Sequence, residues 1–278
     1  GADAIARLAT ATRLMAQWRN NASLADWQPA PGSAEPALVE TLRAYLREGC
    51  RLPVWMDPAR VARAEAIFMH EGPLSCTLLF CASLPECYVP PQLAEVLHVA
   101  GQLEAHTEHR IRQTAAMVFP VMLKGGLTDP AGCGIAQVLK VRLIHATIRH
   151  LILHGDPEQM PGAVAARPQA GPSAGGHGAL YEALLAHGWD IGARGLPCNQ
   201  FELAYTLLTF HYVFLRGMRT LGLGLAPADE DAFLHAWNVV GHVLGVRDDL
   251  LPASYDDAAA SFERMQAFGR AQTAAPDA

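Results

Sequence analysis

Apolar residues recur every three or four positions through most of this chain, the spacing of helices with one buried face. The pattern predicts helices over 2–18, 34–46, 58–69, 90–103, 107–122, 135–153, 179–186, 200–221, 228–244 and 255–268. Pro58, Pro90 and Pro227 stand where a first helical turn tolerates them, and Asp229-Glu230-Asp231 gives one helix an acidic start. Lys124-Gly125-Gly126 marks a break. Glu71, Pro73, Pro85 and Glu86 interrupt the apolar stretch from Ala64 to Pro90. From Gly155 to Gly178 four prolines and six glycines predict a long irregular loop, a lid or a mobile segment. Nowhere do apolar and polar residues alternate between hairpin turns, so no strand is expected. The expected fold is all-α, one domain over 1–278.

Composition narrows the function. The chain has 278 residues, 51% hydrophobic and 17% charged, enough for a thick core and too apolar for disorder. A net charge of −6, without any basic run, argues against nucleic acid as partner. The apolar stretches are broken before they reach bilayer length, so no transmembrane segment is expected. Cys50, Cys76, Cys81, Cys87, Cys133 and Cys198 form no Cys-x-x-Cys pair. They read as buried thiols and point to a reducing, cytoplasmic compartment. The chain starts at Gly1, so a trimmed leader would make it secreted or periplasmic instead.

The segment Lys140-Val-Arg-Leu-Ile-His145-Ala-Thr-Ile-Arg149-His150 carries the most chemistry. Arg142, His145 and Arg149 share one helix face, flanked by Val141, Leu143, Ile144, Ile148, Leu151 and Ile152. Arginines among such neighbours need anions. Two readings stay open from the residues alone. A haem would offer iron to the imidazole and two propionates to the arginines. Alternatively, His145 is a core histidine and the arginines reach carboxylates on other helices. Only Glu95-Val-Leu-His98 has di-iron spacing, His-Glu-x-x-His is absent, and so is Gly-x-Ser-x-Gly. His150 and His154 are more at home capping a helix end than chelating zinc. Asn199 and Glu202 have N-cap and capping-box spacing. His242 reads as a core histidine, and Leu78, Leu79, Phe80, Phe119 and Phe210 as core.

Four blocks, in this order, resemble a known family: Leu79-Phe-Cys-Ala-Ser-Leu-Pro-Glu-Cys-Tyr88; Arg110-Ile-Arg-Gln-Thr114; the Arg142/His145/Arg149 column; and Asn199-Gln-Phe-Glu-Leu-Ala-Tyr-Thr-Leu-Leu-Thr-Phe210, followed by Gly241-His-Val-Leu-Gly-Val-Arg-Asp-Asp-Leu-Leu-Pro252. The chain is similar, over about 64–252, to the latex-clearing protein (rubber oxygenase) and MpaB-type oxygenase superfamily. The resemblance implies a globin-like helical core with haem b. His145 would be the proximal iron ligand, Arg142 and Arg149 its flanking arginines, and Arg110 and Thr114 the distal pair. The partners implied are dioxygen and an apolar isoprenoid or lipid. In one respect the chain departs from the pattern. Latex-clearing proteins have a lysine directly before the distal threonine, and here that position is Gln113. A neutral amide is a poor iron ligand, which sets rubber cleavage apart from the general oxygen chemistry. Haem binding without turnover, for gas sensing, haem storage or electron transfer, is the second expectation, with His106 or His109 as a further axial ligand. A haem-free helical scaffold is the third.

Overall fold

A computed structural model describes residues 7, 10–11, 13–14, 17–25, 27–29, 31–32, 35–90, 93, 107–154 and 190–273. The fold is all-α, and no strand occurs among the described residues. The main helices are α1 (Pro36–Gly49), α2 (Pro58–His70), α3 (Gly72–Glu86), α4 (Thr107–Met122), α5 (Gly134–His154), α6 (Gln200–Thr220), α7 (Pro227–Leu244) and α8 (Tyr255–Thr273). Single turns lie at Ala22–Ala25 and Ile191–Arg194. The helices expected over 90–103 and 179–186, and the loop expected over 155–178, fall outside the described residues.

The breakers in the region before Pro90 bend the chain without ending its helicity. α2 and α3 meet at 87°. Pro73 has no N–H and disfavours helical backbone at the residue before it, so the bend falls at Glu71 and Gly72. Pro85 would clash with the carbonyl of Cys81 in a regular helix. α3 instead widens into a π-turn over Leu79–Ser83, where the N–H of Leu84 reaches the carbonyl of Leu79. Four breakers thus shape a continuous element that periodicity does not reveal.

α7 is the hub. It packs most extensively on α2 and also meets α5, α6 and α8. Asp57 caps α2, accepting from the N–H groups of Ala59 and Arg60 at 2.8 and 3.4 Å, and donates its own N–H to His235 Nε2 at 2.9 Å. Arg63 holds Asp229 with two bonds of 2.6 and 2.8 Å. Aromatic pairs join α6 to α7: Phe214 on Phe233, with ring centroids 4.6 Å apart, and Phe210 on Trp237, 5.2 Å apart. α4 lies along α5. Their connection folds through Gly125, Gly126 and Gly134, and is tied down by Glu65, whose Oε2 accepts from the N–H of Gly125 at 3.0 Å. A Cβ on Gly134 would collide with the carbonyl of Gly126.

The expectation of buried thiols holds for two cysteines only. Cys87 and Cys198 are buried, Cys76 and Cys133 are half-buried, and Cys50 and Cys81 are exposed, all six free. Cys50 ends α1 and Cys81 lies on the outer side of the π-turn, and composition cannot distinguish such positions from buried ones. No single described helix is long and apolar enough to cross a membrane.

Candidate functional site

His145 lies in the second half of α5, where that helix runs beside α4 and α7. The residue is half-buried, but its Nδ1 is sealed and has no hydrogen-bond partner. Burial, and then the charge of Arg149, press its pKa down to about 4. Its imidazole is therefore neutral at pH 7 and keeps a lone pair. A neutral imidazole whose Nδ1 is sealed and unpaired among the described residues fits the side of a haem or another metal group.

Among the described residues the two arginines of the column pair with no carboxylate, the partner that one reading of the sequence anticipated. Arg142 Nη1 donates to the carbonyl of Val243, near the end of α7, at 3.0 Å. Its guanidinium lies against Gly245 and 5.9 Å from the ring centroid of Tyr45. Gly245 is left-handed, φ 95°, as a helix C-cap demands, and any Cβ there would press on Arg142. Arg149 donates from Nη2 to the carbonyl of Cys198 at 2.6 Å and from Nε to that of Pro197 at 3.3 Å. Carbonyls exposed at chain turns take the place of anions, because the ends of α6 and α7 come to this face of α5.

Cys198 is the one non-glycine residue among those described with a left-handed backbone, φ 52°. Such a conformation costs on the order of 1–3 kcal/mol. Asn199 follows and caps α6: its Oδ1 accepts from the N–H of Glu202 at 3.0 Å, and its Nδ2 donates to Glu202 Oε1 at 3.1 Å. The capping role expected of this pair is present. Glu202 is nonetheless 3% exposed, and burial raises its pKa to about 7 despite the N–H groups of Cys198 and Asn199 turned toward it and the nearby charge of Arg149. Burial likewise pushes the Cys198 thiol up to about 12, so it is unreactive at neutral pH. Neither the strain at Cys198 nor its link to Arg149 has a sequence signature. Gly245, after a periodic apolar run, is a readable C-cap.

The other expected site residues divide between described and undescribed positions. Backbone geometry puts Arg110, Gln113 and Thr114 on one face of α4, and Thr114 is half-buried. The side chains of Arg110 and Gln113 lie outside what is described, as do Glu95, His98 and His106. No cluster of His, Cys, Asp or Glu able to hold a metal ion occurs among the described residues. His242 is not a core residue. It is partly exposed, with Nδ1 2.7 Å from Asp248 Oδ1, and lines a pocket of about 420 Å³ with Tyr45, Arg142 and Gly245.

Over residues 77–278 the chain matches the family described as "ER-bound oxygenase mpaB/B'/Rubber oxygenase, catalytic domain", and it belongs to that family. Among its relatives is the rubber oxygenase of Streptomyces sp. (strain K30), 26% identical over 248 residues, which cover 88% of this chain and 53% of that protein. A solved structure of Latex Clearing Protein in the closed state superposes with a TM-score of 0.67 at 23% identity, over 94% of this chain and 62% of the other. The likeness in structure shows the shared fold. The chain spans about half to three-fifths of the length of these relatives. The family match runs beyond Pro252 to take in α8, further than the sequence blocks reach.

Proposed function

We propose that this chain is a haem b-dependent oxygenase that uses dioxygen on an apolar substrate, an isoprenoid or an unsaturated lipid. The observation that carries the reading is His145: neutral, sealed at Nδ1 and without a partner, on the helix where the family resemblance expects an iron ligand. Haem, held by His145, would supply the iron at which dioxygen is activated. Arg149 holds its charge against the ring and disfavours the imidazolium form. Arg142, with one bond to a carbonyl, retains donors for an anionic propionate. Arg110, Gln113 and Thr114 share the α4 face on which a distal pocket would be lined, and their donors would stabilise negative charge developing on oxygen.

The test is an absorbance spectrum and haem stain of the purified chain, beside His145→Ala. The parent is expected to hold haem b without a covalent link, since Cys-x-x-Cys-His is absent. The variant is expected to lose most of it. Full haem and an unchanged spectrum in the variant would refute the ligand, and a parent that takes up no haem would refute the reading.

Gln113 separates this chain from polyisoprene cleavage. A glutamine amide offers neither the ammonium charge nor the basic nitrogen of a lysine. Parent and Gln113→Lys are to be incubated with polyisoprene and with unsaturated lipids, and carbonyl products measured. The expected outcome is little or no polyisoprene product from the parent, and an altered spectrum or oxygen affinity in the variant. Vigorous polyisoprene cleavage by the parent would show that the amide is no handicap.

A further inference from the structure

Cys198 sits where the His145 helix meets the start of α6: Arg149 of one helix bonds its carbonyl, and Glu202 of the other faces its N–H. Arg149 of α5 holds its carbonyl at 2.6 Å. Its N–H turns toward the carboxylate of Glu202 of α6. Asn199 closes the ring through its two bonds with Glu202. A capping box needs an N-cap side chain and a glutamate three residues on. It needs neither an arginine from another helix nor a left-handed residue before the cap, and glycine would adopt that conformation more readily. The buried carboxylate also lacks an ion-pair partner among the described residues, although Arg149 is close by. Both side chains are turned to the backbone of one strained residue.

We propose that Glu202 is a positioning residue for His145: it holds the Cys198 N–H, which fixes the carbonyl that Arg149 grips, and so fixes the guanidinium one turn from the imidazole on the same face of α5. The chain of contacts is Glu202, Cys198 backbone, Arg149, His145. It rests on the haem reading of His145, and goes beyond it by assigning roles to Glu202 and Cys198.

The first measurement needs no haem. Iodoacetamide labelling of Cys198 is followed by peptide mass spectrometry in the parent, Arg149→Ala, Glu202→Ala, Glu202→Gln and the double alanine variant, with exposed Cys50 and Cys81 as internal controls. Each alanine variant is expected to label Cys198 about tenfold faster by local opening of the junction, and the double variant no faster than the quicker single one. Glu202→Gln, whose amide oxygen still accepts, is expected to stay near the parent. Unchanged labelling in Glu202→Ala, or effects that multiply in the double variant, would overturn the clamp. The second measurement is the EPR spectrum of the ferric haem-loaded proteins. Arg149→Ala and Glu202→Ala are expected to shift the same signals in the same direction, with Glu202→Gln like the parent. Faster labelling with a parental EPR spectrum would make Glu202 a structural residue only and sink the positioning role. Should Glu202→Ala not fold, Arg149→Lys keeps the charge, loses the planar fork, and is expected to give the same pair of changes. A parent without haem would overturn the haem reading and the positioning role together, while the labelling result would still decide the clamp.

Discussion

His211 poses the sharpest question at the scale of single residues. It stands in α6 with no exposed surface and, among the described residues, no partner for either ring nitrogen, and burial presses its pKa to about 3. Burying polar atoms unpaired costs about 1–3 kcal/mol. A leucine of similar volume is therefore expected to leave the chain as stable as the parent at pH 7, or more so. The pH dependence follows from the direction of the shifts. His211 and His145 both have folded values below the ordinary 6.5, so the stability they contribute is present above pH 6.5 and is lost as pH falls toward about 4 for His145 and 3 for His211. Glu202 has the opposite sign: its folded value of about 7 lies above the ordinary 4.5, so its contribution is present below pH 4.5 and is lost as pH rises through 7. Between pH 4.5 and 6.5 three depressed histidines, His145, His211 and His235, act against two raised carboxyls, Glu202 and Glu65, and stability should rise with pH. Urea unfolding of the haem-free chain at several pH values checks this. In His211→Leu the slope should fall by about 1.4 kcal/mol per pH unit over that window. An unchanged slope, or a loss of several kcal/mol at pH 7, would mean that the ring has a partner after all.

Among the elements, periodicity and punctuation carried the sequence far. The expected 107–122 coincides with Thr107–Met122, and α2, α5, α6 and α7 fall within a residue or so of their expected ends. These helices have apolar faces and clear stops, which local physics decides. α3 was hidden because a count of breakers says nothing of a π-turn that accommodates Pro85. The site was legible in part for the same reason. His145 and its two arginines declare themselves on one helix face, and Asn199 with Glu202 is a local motif. What the arginines touch is not local: Val243 is 101 residues from Arg142, and Cys198 is 49 from Arg149. Sequence chemistry suggested anions, whereas the fold brings up carbonyls. The turn from α4 to α5 shows how much a close approach can demand of one position. Gly134 opens the His145 helix directly against the carbonyl of Gly126, so Gly134→Ala must push the two backbones apart. Backbone cannot swing aside as a side chain can, and the expected cost is about 3 kcal/mol, the upper end for overpacking. Gly72→Ala, where an added Cβ meets open space, should cost little and serves as the control. Equal melting temperatures for the two variants would show that the turn relaxes freely.

The whole molecule is larger than the part that the family match covers. That match begins at residue 77, yet the helices before it are built into the same core. α2 has the most extensive packing of any element on α7. Val61, Ala64, Ile67 and Phe68 of α2 are buried, and Phe68 meets Phe119 of α4 edge-on, with ring centroids 5.8 Å apart. α1 contributes Tyr45, whose hydroxyl donates to the carbonyl of Leu139 at 2.7 Å, and Gly49, which lets Leu139 approach the helix backbone. Both contacts bear on α5 less than two turns before His145. Removing residues 1–71 would uncover α7 along its length, leave Asp229 without Arg63, and strip Glu65 from the turn that starts α5. Each fully buried valine, isoleucine or phenylalanine contributes about 1.5–3 kcal/mol, and the three on α2 alone are comparable to the entire net stability of an ordinary domain. The truncated chain 72–278 is therefore expected not to fold, and to bind no haem whatever the state of His145. Its circular dichroism and unfolding curve, compared with those of the full chain, decide the matter. A cooperative transition with native helicity in the truncated chain would show that α1 and α2 are an accessory layer, and that α4 and α7 suffice to hold the His145 helix in place.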